Sequence, residues 1–198
     1  MATKQRGRPR SFDREAVLEQ ALRMFWTKGY EAASVADLTR AMGIGAPSLY
    51  AAFGDKAGLF RDVVDHYMAH YCGYAERALR EEPTARAALA RLLREAAAEF
   101  TTEGRPRGCL VVFAADDGTT ASAEVEQTLR ERRRQFAVGL EARLRQGAEA
   151  GELGAEEVTA LARFAHAVFQ GMSQQARDGA RREELEAVAE RAMRAWPR

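Results

Sequence analysis

The reactive and charged side chains of this chain fall into a few groups, each with its own chemical reading. Cys109 follows Arg105, Pro106, Arg107 and Gly108 and precedes an apolar run, which places its thiol at the start of a helix. There the helix dipole and the neighbouring guanidinium groups of Arg105 and Arg107 favour thiolate, the reactive form. The competing reading is a buried thiol acting as a small hydrophobe. His66 and His70 stand four apart, a spacing at which two imidazoles on one helix face can hold a metal ion, with Asp62 one turn earlier. No further cysteine or histidine ligand is positioned nearby, so they read as two exposed histidines, and neither a metal nor a cofactor is expected. Arg6, Arg8 and Arg10 flank Gly7 and Pro9 ahead of the first acidic residue, Asp13, and form an extended basic arm suited to phosphates or a minor groove. A glycine-rich phosphate loop after a strand, an HExxH pair and a nucleophile elbow are all missing from the sequence, which argues against an enzyme.

Helical periodicity supplies the elements that must position these groups. Val17, Leu18, Ala21, Leu22, Phe25 and Trp26 recur at three- and four-residue steps, predicting an amphipathic helix over 13–28 that Gly29 ends. A short second helix follows Ser34, with Asp37 in a capping-box-like position, and stops at Gly43. Pro47 suits the first turn of a brief third helix ending near Phe53. Longer helices are expected over 56–80, 84–102, 123–150, 155–178 and 183–196, with a Gly- and Pro-bearing loop at 103–108. The apolar run at 109–115 is too short to separate helix from strand.

Composition agrees with this reading. A chain of 198 residues has room for one medium helical domain and a small appended one, since single cores of about 100–150 residues are common. With 46% apolar and 30% charged residues and five prolines it can bury a core, and the Ala, Leu, Arg and Glu of its second half are strong helix formers. The fold expected is all-α. The net charge of +1 conceals a basic N-terminal tip. No run approaches the ~18–20 apolar residues of a membrane span, and no apolar leader with a cleavage site follows the basic start, so a cytoplasmic protein without a membrane partner is expected. Two cysteines, Cys72 and Cys109, are too few for a disulfide framework and are read as free thiols.

A helix, a Gly-centred turn and a two-turn helix over 34–53 is the arrangement that places a recognition helix in a major groove. The segment SVADLTRAMGIGAPSLYAAFGDKAGLF resembles the signature of the TetR family, and the likeness extends back through GRPRSFDREAVLEQALRMFWTKGY, covering about the first 60 residues. Leu38, Ile44, Leu49 and Phe53 read as the small core that sets the angle between the two helices, and Ala46, Pro47 and Ser48 as readers of base edges. The resemblance implies that Tyr50 and Lys56 contact backbone phosphate, to which Ser34 and Thr39 can add neutral hydrogen bonds. Two departures stand out: many relatives carry Ser at the position of Gly45 and His or Tyr at that of Ala52, so more of the affinity falls on the basic arm.

The resemblance further implies a DNA-binding domain at 1–55, a helical effector-binding and dimerisation domain at 56–198, and a homodimeric regulator, a repressor by family habit, on a palindromic operator. A small effector would sit between the middle helices, where Tyr67, Tyr71, Phe100, Cys109, Phe113, Phe136, His166, Phe169 and Met172 are candidates for an apolar or aromatic ligand. The broad apolar faces of the last two helices suit a four-helix dimer seam built from Val158, Leu161, Ala165, Val168, Leu185, Val188, Ala192 and Trp196. The segment PRGCLVVFAA is similar to one in TetR relatives that respond to oxidants or electrophiles, so modification of Cys109 is a second expected trigger. An interaction module that uses the arm and amphipathic helices to hold a protein is the rival reading.

Overall fold

Local sequence chemistry explains where each helix begins and ends in the computed structural model, which describes residues 12–113 and 123–197. Helix α1 (Arg14–Ala32) starts where the Asp13 carboxylate accepts from the amides of Glu15 and Ala16. It runs past the expected stop, because Gly29 takes a positive φ of 80° as a kink and the last turn continues beyond it. Helix α2 (Val35–Met42) is capped by Ser34 Oγ, which accepts from the Asp37 amide at 3.1 Å, and closes on Gly43 in the left-handed region at φ 65°. Helix α3 (Ala46–Phe53) has no side-chain cap at Gly45 and carries Pro47 in its first turn. Leu38, Leu49 and Phe53 are buried together at the crossing of α2 and α3, with Ile44 packed at their edge.

The helix expected over 56–80 is two helices, α4 (Lys56–Tyr71) and α5 (Gly73–Glu81), joined at Cys72. Gly73 costs about 1 kcal/mol in a helix interior relative to alanine, so a break is cheap there. The corner turns a second apolar face, Tyr74, Ala75 and Ala78, inward against α6 (Ala85–Phe100). The run after Cys109 is a single helical turn, α7 (Leu110–Phe113). Three helices complete the fold: α8 (Ala123–Glu149), α9 (Val158–Arg177) and α10 (Arg182–Ala192). All regular structure among the described residues is helical. One apolar core runs from Val17 of α1 to Ala189 of α10, with a smaller cluster around Leu144 and Leu161.

Half of the expected seam is spent inside the subunit. Val158, Leu161, Ala165 and Leu185 are buried in its own core, because α9 also packs on α6 and α8, and α10 on α6 and α9. Val168, Val188, Ala192 and Trp196 pack against that core with part of their surface open. The outward face of α9 carries Phe164, 42% exposed, with Ala167, Val168 and Gly171 one turn and two turns on.

The junction of α3 and α4 is a backbone contact. Gly58, in the first turn of α4, lies so close to the α3 terminus that a Cβ there would meet the Phe53 carbonyl oxygen at 2.0 Å. Gly→Ala inside a helix normally stabilises, but here the sign should reverse: Gly58→Ala is expected to cost about 1–3 kcal/mol. A thermal melt with an unchanged or raised midpoint would refute the contact.

Candidate nucleic-acid interface and interior cavity

Helix α3 is pinned to the core by Leu49 and Phe53 and turns its other face outward. Pro47, Ser48 and Tyr50 are exposed, Tyr50 to 49%, while Ala46 is half-buried. Ser34 is exposed but its Oγ already caps α2, and the Thr39 hydroxyl donates to the Ala36 carbonyl at 3.1 Å; each keeps oxygen lone pairs and partial access. Lys56 reaches back to α1, donating to the Glu31 carbonyl at 3.3 Å with its ammonium 4.3 Å from the centre of the Tyr30 ring. Desolvation at that spot pulls its pKa below the usual lysine value. Arg6, Arg8 and Arg10 lie outside the described residues. Phe12, the first described residue, stacks its ring on Phe53 at 6.4 Å, at the C-terminal end of α3. Two cations that the sequence reading did not single out flank the turn: Arg40, 78% exposed in the last turn of α2, pairs with Asp37 at 3.3 Å, and Lys28 meets the same Asp37 at 3.4 Å. Their signal was cationic charge flanking the turn, which the motif itself does not require.

The histidine pair is not the exposed pair expected. The His66 side chain keeps only 7% of its surface and faces the Glu19 carboxylate at 3.4 Å, because the α1–α4 interface closes over it. His70 stacks on it at 4.1 Å and stays open to solvent. Asp62 pairs instead with Arg14 at 2.6 Å, and among the described residues no three metal-binding side chains converge.

An apolar cavity of about 310 Å³ lies between the α4–α5 corner, α7, α8 and α9. Of the nine side chains expected around a ligand, Cys109, Phe136, His166 and Phe169 line it. The other five are placed elsewhere. Tyr67 lies under the edge of Trp26 at 4.9 Å, and Tyr71 donates its hydroxyl to Glu19 at 2.8 Å. Phe100 backs Phe169 at 5.1 Å, Phe113 lies beneath the Arg177 guanidinium, and Met172 is fully buried. Met68, Cys72 and Tyr74 also line the cavity and were not expected; the break at Cys72 turns Tyr74 there. The surface is mostly apolar, and Glu76, Arg132, Arg133, Gln135 and His166 supply its polar groups. His166 touches Phe136 edge-on at 5.5 Å, and burial, aided by the Arg133 charge, lowers its pKa and keeps the ring neutral at pH 7. Arg133 donates to the Val111 carbonyl at 2.8 Å.

Cys109 sits at the start of α7, buried, in the manner of the small-hydrophobe reading rather than the thiolate one. Its amide donates to Ser173 Oγ at 2.8 Å, and Gly108, at φ 77°, permits this approach because a Cβ there would meet the Ser173 carbonyl at 2.6 Å. Arg105 is engaged by Glu99 at 2.5 Å and Arg107 by the Ala180 carbonyl, so neither guanidinium is directed at the sulfur. Burial pushes the Cys109 thiol up, and the Tyr67 hydroxyl, the α7 amides and Arg133 only partly offset it.

With this geometry in view, comparison with known proteins is decisive. Residues 17–63, from α1 through the first half of α4, match the family described as bacterial regulatory proteins, tetR family. The HTH-type transcriptional repressor ComR of Escherichia coli (strain K12) is 40% identical over 196 residues, spanning 98% of this chain and 93% of that one. The chain belongs to the TetR family. Among solved structures, a cysteine-substituted form of the TetR family regulator CifR, complexed with a 26-bp double-strand operator DNA, superimposes with a TM-score of 0.91 at 48% identity, over 96% of this chain and 100% of that one. A TetR regulator from Rhodococcus sp. RHA1 follows with a TM-score of 0.63 at 39% identity, over 94% and 100%. The chain is therefore an all-α DNA-binding transcriptional regulator, and no described helix is long and apolar enough to cross a membrane.

The buried thiol of this TetR protein makes a kinetic prediction. In a Cys72→Ala background, Cys109 should react with a neutral maleimide more slowly than free cysteine at the same pH, and its rate should still climb where free cysteine has levelled off. A rate that saturates near neutrality would show a thiolate.

Proposed function

We propose that the chain is a homodimeric repressor acting in the cytoplasm, which holds one α3 in each of two successive major grooves of a palindromic operator and lets go when a small apolar effector fills the cavity. The observation that carries this reading is α3 itself, seated on buried Leu49 and Phe53 with Pro47, Ser48 and Tyr50 turned out to solvent. Ala46, Pro47 and Ser48 then face base edges, and Tyr50, Lys56, Ser34 and Thr39 face phosphates. Arg6, Arg8 and Arg10 follow the adjacent minor groove. One reader of two turns binds weakly, and two readers about 34–36 Å apart match one turn of duplex. In this division of labour residues 1–55 read DNA, and 56–198 bind effector and partner.

The dimer seam we infer is the outward face of α9, with Phe164, Val168 and Gly171, joined by Val188 and Ala192 of α10. Exposed apolar residues at helical spacing are expensive in water and are covered when a second copy docks. The effector acts through α4, whose first turn holds α3 and whose last turn reaches the cavity wall at Met68. A ligand that favours the state with wrongly spaced readers weakens DNA binding by the factor that DNA weakens ligand binding. Modification of Cys109 releases DNA on this view because an adduct occupies the same cavity, not because the sulfur is unusually acidic.

Binding to DNA upstream of its own coding region, followed by gel retardation at rising salt, tests the reading. Tyr50→Phe should lower affinity about tenfold, the loss of one hydrogen bond to a charged phosphate. Lys56→Gln should also flatten the dependence of log K on log salt by about one unit. Affinity indifferent to both changes would remove α3 from the interface. Phe164→Arg with Val168→Glu should sediment as a folded monomer and lose the shift; a persistent dimer would move the seam elsewhere.

A further inference from the structure

We propose that Cys72 and Cys109 form a two-thiol site in the effector cavity that captures a neutral trivalent arsenical, binding it through both sulfurs at once. The inference rests on the cavity being the effector site and names the chemistry it accepts. The two cysteines are 37 positions apart in sequence, yet both line the same 310 Å³ space, one at the α4–α5 corner and one at the start of α7. The Cys109 thiol acts on Cys72 and the Tyr67 hydroxyl acts on both, which puts the three groups in one neighbourhood beside the cavity. Both are free thiols.

The surroundings select the ligand. Met68, Tyr74, Val111, Phe136 and Phe169 make the wall mostly apolar, with Glu76, Arg132, Arg133 and Gln135 also on the lining, which favours a guest of no net charge carrying a hydrocarbon group. Burial keeps both thiols protonated, which slows attack on a peroxide, a reaction that needs thiolate. An organoarsenic(III) oxide has no such need in its net reaction. The arsenic–oxygen double bond and two S–H bonds are exchanged for two As–S bonds, the oxygen leaves as water with both thiol protons, and arsenic remains trivalent. Soft thiolate sulfur is the preferred donor for such a centre. Closing the bridge draws the α4–α5 corner toward α7, and the helix that moves is the one whose first turn carries Lys56 and supports α3.

Phenylarsine oxide added to the reduced full-length protein tests the site without DNA. The expected adduct is one phenylarsenic per chain by intact mass, with both thiols lost to a thiol reagent after unfolding. It should survive excess monothiol and be stripped by a small dithiol. Because the second sulfur acts at high effective concentration, Cys72→Ala and Cys109→Ala should each weaken retention by about 10²-fold or more. Thermal midpoints of both variants report that they fold, and the monothiol challenge on the unaltered chain needs no variant. An adduct lost to monothiol, or held equally by either single-cysteine chain, overturns the two-thiol site. A two-sulfur adduct that leaves operator affinity unchanged upholds the site and instead refutes the assignment of the cavity to the effector.

Discussion

The rest of the molecule depends on the contact between the Phe53 carbonyl and the first turn of α4. Because Gly58 has no Cβ, the end of α3 rests directly on the α4 backbone, with Asp55 bridging the two by accepting from the Gly58 amide at 2.7 Å. A helix of two turns has no rigidity of its own, since isolated helices shorter than ~12–15 residues are marginal in water. Its direction is inherited from α4. Any displacement of α4 is therefore a displacement of α3, and the cavity wall begins three turns further along the same helix, at Met68.

Helix α1 is the second member of this frame. Its aromatic face meets α4 through Phe25 on Phe60 at 5.0 Å and Trp26 on Tyr67 and Tyr71 at 4.9 and 5.5 Å. Ion pairs such as Arg14 with Asp62 add geometry more than energy, because partly exposed pairs contribute about 0–1 kcal/mol. The larger share comes from the buried rings, at about 1.5–3 kcal/mol for each fully buried side chain. Arg23 and Arg177 tie the helix outward as well, to the Gly104 carbonyl at 3.0 Å and from α9 to the Trp26 carbonyl at 3.1 Å. Tyr67 thus occupies a shared position: its ring supports Trp26 of α1, and its hydroxyl borders the thiols of the cavity.

The placement of Cys109 shows how one local pattern can support opposite chemistry. A cysteine after two arginines at a helix start would be acidic if the guanidinium groups faced it. Here Glu99 and the Ala180 carbonyl take them, and Ser173 of α9 closes over the backbone. The same burial that suppresses the thiolate creates an apolar space in which a thiol can meet a neutral guest. Helix α9 divides its faces in a comparable way, with Leu161 and Ala165 inside the subunit and Phe164 and Val168 turned outward.

What the sequence determined by itself is the local grammar. Ser34 ahead of a short helix, Gly43 as its stop, Pro47 in a first turn and the buried trio Leu38, Leu49 and Phe53 were all legible, because each depends on neighbours within a turn or two. Only the tertiary structure decided that Cys72 and Cys109 line one cavity, that Met68 and Tyr74 rather than Phe100 and Met172 face it, and which side of α9 is left partly open. Periodicity identifies the apolar face of a helix but not the neighbour that will cover it. That choice is made by crossing angles and by the break at Cys72, through contacts between residues far apart in the chain.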